Sequence, residues 1–244
     1  PPPAVQVPPT PVTPPAGAGL SGEAVPDFAR PTLPYAAYVQ PAPFSTERVG
    51  RFWVTLPDPG EPASIRRERL AGHPRKGIAV IACHEGYPGH HVQLSTAANA
   101  LSPARKAFRS NVLIEGWGLY VEDLMTELGY LDDPETRLLR LKDLLWRAAR
   151  VIVDVGLCTG EMSFEQAVAF LVDGPKLERP NAVAECRRYT LNPLQPSSYA
   201  LGRAAILDLR ERAAHAGLSR REFHDRLLGT GSLPPPLAAA EAGL

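Results

Sequence analysis

KGIAVIACHEGYPGHHVQ, residues 76–93, is the stretch on which the reading of this chain turns. A continuous apolar run, Gly77 to Cys83, enters the polar pair His84-Glu85, and Pro88-Gly89 and the pair His90-His91 follow. A histidine followed at once by glutamate, with another histidine within two turns, obeys the logic of helical zinc hydrolases: neutral imidazoles bind the ion and the adjacent carboxylate polarises a water. The spacing departs from the usual HExxH, because His84 and His90 are six residues apart. On a regular helix that separation puts them on different faces and about 9 Å apart along the axis. They share one ion only if the helix breaks between them. Pro88 cannot donate to the carbonyl of His84, and Gly89 tolerates dihedrals that other residues avoid, so a bulge or kink is expected there. His91 falls more than ~10 Å from His84 along the axis. It is expected to contact substrate or support the ligands rather than bind metal.

A catalytic zinc takes three protein ligands and leaves a fourth position open. The segment SPARKAFRSNVLIEGWGLYVEDLMTELG, residues 102–129, has apolar residues at helical spacing and Gly129 as a stop. Within it Glu115 sits amid apolar neighbours, where a solvated carboxylate is out of place, and it is the expected third ligand. A competing reading pairs Glu115 with an arginine such as Arg147 or Arg150. Glu122, two turns further along the same face, is placed to orient the site from behind the ligands.

Working outward, Asp133 with Pro134 and Glu135 reads as an N-cap with proline in the first turn, opening a helix to about Val155. Ser163 with Gln166 and Ser219 with Glu222 have capping-box spacing. A further helix is expected from about Ser197 to Ala216, closed by Gly217. Upstream, the prolines of residues 1–45 exclude helix. That segment reads either as a flexible tail or as an extended cover anchored by Phe28, Tyr35, Tyr38 and Phe44. RFWVTL, residues 51–56, reads as a strand, and its edge is expected to be open to an extended substrate. The expected architecture is mainly α with a small β element near the N terminus. It divides into an extended segment, 1–45, and a catalytic domain, 46–244.

Composition narrows the partners. Lys plus Arg equals Asp plus Glu at 26 each, so the basic footprint of nucleic-acid binding is missing. No run approaches the roughly 20 apolar residues that span a bilayer. Cys83, Cys158 and Cys186 are odd in number and widely spaced, which argues against a disulfide framework and favours a reducing, cytoplasmic setting. The opening PPPAVQVPPTPVTPP reads as if cut from something longer.

HEGYPGHHVQ, EGWGLYVEDL, RAARVIVDVG, SSYALGRAAILDLR and FHDRLLGTGSLP, in that order, resemble the catalytic half of the bacterial family known as domain of unknown function 885. The resemblance runs through almost the whole chain. It implies a zincin-like, helical gluzincin metallopeptidase fold that in typical members also carries a helical N-terminal half, expected to be missing from this chain. It implies zinc held by His84, His90 and Glu115, with Glu85 as general base. It also draws Tyr199, His224 and Arg203 into the site as groups that steady an oxyanion or hold a substrate carboxylate. Members often carry histidine near Cys158, a departure that would alter specificity if that position touches substrate. The expected activity is hydrolysis of a peptide or small amide. The alternative is a catalytically weak or inactive module that binds metal or peptide and lacks the family's N-terminal half; the expected protein partners are that missing half or a second copy.

Overall fold

The proline-rich N-terminal part forms a sheet. In the computed structural model, which describes residues 11–33, 35–100 and 102–244, β1 (Gly19–Ala24), β2 (Ala36–Val39) and β3 (Val49–Val54) lie in the order β1-β3-β2. β1 runs parallel to β3, with Leu20 opposite Gly50, and β2 runs antiparallel, with Tyr38 opposite Phe52. The strand expected at 51–56 is therefore β3, but both its edges are occupied. The expectation that it offers an edge to substrate is corrected: of the two outer strands, β2 is the one that borders the cavity described below. Residues 1–45, expected to be extended and packed in part on the domain, contribute two of the three strands, β1 and β2, which pair with β3.

The anchors differ from expectation too. Phe28 and Phe44 are 81% and 65% exposed, whereas Tyr35 packs its ring 5.2 Å from that of Trp146. Further upstream, Val12 is buried in the core, Thr13 bonds Asp225 through both its amide and its hydroxyl, and the carbonyl of Pro11 pairs with His224. The tail reading thus fails from residue 11 onward, and residues 1–10 lie outside the described residues.

The helices follow in order: α1 (Ala63–Ala71), α2 (Gly77–Glu85), α3 (His90–Ala97), α4 (Pro103–Ala107), α5 (Asn111–Glu127), α6 (Pro134–Thr159), α7 (Phe164–Asp173), α8 (Arg179–Leu191), α9 (Gln195–His215), α10 (Arg220–Gly229) and α11 (Pro235–Ala242). The Asp133 side chain accepts from the Thr136 amide, and both capping boxes close reciprocally. α6 runs past Val155 to Gly160, whose φ of +76° ends it. The helix expected over 102–129 is interrupted between α4 and α5, where Phe108 and Ser110 are extended.

α5 and α9 form the central pair. They meet at Gly116 and Gly202, where a Cβ on either glycine would collide with the other helix's backbone. Leu113, Trp117, Tyr120 and Leu124 of α5 pack with Ile206 and Leu209 of α9 and Phe223 and Leu227 of α10. A second cluster joins Trp146 and Val153 of α6 to Val168 and Leu171 of α7 and Tyr189 of α8. These two clusters hold α5, α6, α8 and α9 around the cavity that α2 and β2 close.

His224 belongs to the first of these cores. It is fully buried, its Nδ1 donates to the Pro11 carbonyl at 2.7 Å, and its Nε2 accepts from the Tyr120 hydroxyl at 2.7 Å. Both bonds suit the neutral ring, and burial pushes its pKa down to about 4. Between pH 4 and 6.5 the unfolded chain therefore binds the proton that the folded chain refuses, so stability rises with pH across that window. Acid is expected to remove about 3 kcal/mol as pH falls from 6.5 to 4. Denaturant midpoints of the wild type and of His224→Gln check this, because the variant should lose that part of the slope.

Candidate metal centre

The expected break falls between α2 and α3. Residues 86–89 leave the helical path, the Tyr87-Pro88 peptide is cis, and α3 begins at His90. Gly89 is indispensable to this geometry, because a Cβ there would run into the carbonyl oxygens of Cys83 and His84. The Trp117 indole donates to the Pro88 carbonyl at 3.0 Å, which ties the break to α5. As a result the rings of His84 and His90 meet edge to face with centroids 4.7 Å apart. Their approach is accommodated by Gly118, since a Cβ there would press on both rings.

Ligand-type atoms of His84, Glu85 and His90 lie within 4.8 Å of one another, and Glu115 reaches His90 Nε2 at 3.3 Å. His84 Nδ1 is 2.8 Å from Glu122 Oε1, so Glu122 takes the supporting place expected of it and fixes the tautomer that leaves Nε2 free. Glu115 pairs with neither Arg147 nor Arg150. Its Oε1 accepts from Gln195 Nε2 at 2.8 Å, while Arg147 faces Asp143 and Glu122, and Arg150 faces Glu185. Tyr199 stacks 6.0 Å from His84, with its hydroxyl 3.3 Å from Gln195 Nε2.

Electrostatically the buried groups of the cluster shift one another. Burial opposes ionisation of Glu115, yet the hydrogen bond and charge of His90 outweigh it and hold the carboxyl at about 2. His90 is correspondingly raised despite its burial. Glu115 Oε2 and His90 Nε2 face each other as an ion pair, while His90 Nδ1 is buried without a hydrogen-bond partner among the described residues. Two imidazoles and a carboxylate fit zinc by donor type. Burial pushes Glu85 up to about 7, and its Oε2 accepts the Tyr38 amide of β2 at 2.7 Å.

Three expected residues lie elsewhere. His91 is enclosed by the Tyr38 hydroxyl at Nδ1, 3.2 Å, and the Tyr87 hydroxyl at Nε2, 2.9 Å, outside the cavity lining. Arg203 pairs with Asp123 at 2.5 Å, and His224 is in the core. Cys158 is exposed and also outside the lining. Its neighbour Asp154 instead caps the start of α9, accepting from the Leu194 and Ser197 amides and the Ser197 hydroxyl. The sequence reading missed Arg109, Arg188, Gln195 and Tyr35, which line the same cavity of about 270 Å3 as His84, Glu85, His90, Glu115 and Tyr199.

Fold and site define a mainly helical protein with a small N-terminal sheet and a buried histidine–carboxylate cluster at a helix break. The sequence matches the family described as "Bacterial protein of unknown function (DUF885)" over residues 11–241, and the chain belongs to that family. The fold is also similar to that of two solved structures. One is described as "the putative lipoprotein from Colwellia psychrerythraea" (TM-score 0.82, 30% identity, covering 96% of this chain and 39% of that one). The other is described as "a putative lipoprotein of unknown function from Shewanella oneidensis" (TM-score 0.79, 27% identity, 94% and 41%). This chain thus spans about two fifths of the length of either. It matches no curated protein.

Proposed function

We propose that the chain is a zincin-like, zinc-dependent hydrolase of peptide or related amide bonds. The observation that carries this reading is the convergence of His84, His90 and Glu115 with a second carboxylate, Glu85, in the lining of one cavity. His84, His90 and Glu115 would hold zinc, which when bound supplies Lewis-acid polarisation of a carbonyl and eases ionisation of water.

The chain's own residues do the rest. Glu85, with a pKa near neutrality, accepts a proton from the attacking water and returns it to the leaving nitrogen. The Tyr199 hydroxyl faces the cluster and donates to the oxyanion that forms as the carbonyl carbon becomes tetrahedral; such a donor is often worth about 2.7–4 kcal/mol. β2 supplies the wall along which an extended substrate lies, replacing the role assigned to residues 51–56. The lipoprotein descriptions of the two structural neighbours favour a setting outside the cytoplasm for this chain as well, against the cytoplasmic expectation.

Elemental mass spectrometry of protein purified without chelator tests the metal. About one zinc per chain, lost in His84→Ala and in Glu115→Ala, is the expected result. No metal in the wild type would move the assignment to a binding module. Glu122→Gln should keep the zinc but weaken it about 10–100-fold, since the replaced carboxylate no longer orients His84; competition with a chromophoric chelator reads that loss.

A further inference from the structure

We propose that Arg150 and Arg188, in the lining of the same cavity, form a carboxylate-binding subsite, so that the preferred substrates carry a carboxylate on the leaving side of the cleaved bond. The part about cleavage rests on the peptidase reading; the subsite itself does not.

Arg150 is 4% exposed and lines the cavity. Its Nε donates to the Tyr189 hydroxyl at 3.1 Å and its Nη2 to Glu185 at 3.0 Å, but Nη1 is buried with no hydrogen-bond partner. A buried guanidinium nitrogen left unpaired is costly unless something completes it. Glu185 cannot do so, because it also serves Arg188, whose Nε and Nη2 reach its two oxygens at 3.2 and 3.0 Å. One buried carboxylate thus faces two guanidiniums, and the local charge is positive.

The guanidinium is also positioned rigidly. It stacks 4.1 Å from the Trp146 ring and 4.3 Å from the Tyr199 ring. Tyr199 in turn stacks on His84, so one aromatic ring contacts both Arg150 and a residue of the histidine cluster. Gln195 connects the two groups: it donates to Glu115 and accepts from Arg188. A planar, two-pronged donor with a vacant edge recognises carboxylate by geometry as well as charge.

The test is calorimetric binding to the zinc-supplemented full chain carrying Glu85→Gln. Three probes are compared: N-benzoylglycyl-alanine, its C-terminal amide, and N-benzoylglycyl-glutamate α-amide. A carboxylate probe should bind at least about tenfold more tightly than the neutral amide. The tighter of the two acids tells whether a terminal or a side-chain carboxylate is the ligand. Arg150→Lys, which keeps the charge and loses the fork, should remove most of the difference; if it does not fold, Arg188→Gln is read instead. Equal binding of all three probes, binding of none, or discrimination unchanged in the folded variant overturns the subsite. Absence of turnover by the wild type with discrimination intact would remove the peptidase reading and leave the subsite standing.

Discussion

Glu85→Gln is expected to lower kcat by about a thousandfold or more while leaving one zinc per chain, an effect at the upper part of the range for general-base removal. The replacement is nearly isosteric, and its amide oxygen can still accept the Tyr38 N–H, so the local fold should survive. What disappears is an acceptor whose pKa burial has brought to about 7. The paired comparison with Glu115→Ala is what makes the assignment sharp, since both carboxylates lie near the histidines. Metal lost from Glu115→Ala but kept in Glu85→Gln fits Glu115 as ligand and Glu85 as base. The opposite pattern would exchange them, and turnover within about tenfold of wild type in Glu85→Gln would refute the mechanism.

The second large effect is expected from Gly89→Ala, a change of one methyl group at a residue that is not itself a ligand. The added carbon would overlap the carbonyl oxygens of both Cys83 and His84. Neither is the free end of a side chain that could swing aside, so the break between α2 and α3 must be rebuilt. A cost of about 3 kcal/mol or more is expected, in the tail of single-substitution effects. Because the break is what brings the two imidazoles together, zinc should be lost along with stability. Denaturant unfolding and metal content, measured on the same preparation, check both. A stable Gly89→Ala protein that retains its metal would show that the helix break is not what assembles the site.

Much of this was readable locally. His84, Pro88-Gly89 and His90 carry both the metal spacing and the reason for the kink, and Glu115 with Glu122 keeps the period of one helix face. Capping side chains such as Asp133, Ser163 and Ser219 act within three or four residues, so their helices start where local chemistry puts them. The remainder depends on partners far away in the chain. Arg203 entered the expected site only through the resemblance carried by SSYALGR. Asp123 holds it instead, and that pairing exists only because α5 and α9 cross where they do. His224 has no local mark distinguishing a catalytic ring from a core ring completed by Pro11 and Tyr120. Conversely, Arg150 and Arg188 read as ordinary helix cations until α6, α8 and α9 are packed together. The sheet was half legible for the same reason: β3 has the composition of a strand, but its central place depends on two pairings that no local signal specifies.

The glycine contact between α5 and α9 divides the site mechanically. With backbone against backbone at Gly116 and Gly202 there is no side chain to cushion the contact, so Glu115 and Tyr199 project from a stiff frame. His84, Glu85 and His90 hang from the opposite wall, on a segment secured to that frame by the Trp117 indole among other contacts. The spacing of Glu115 and Tyr199 therefore rests on main-chain contact, whereas that of the histidines rests on the ties of the helix break.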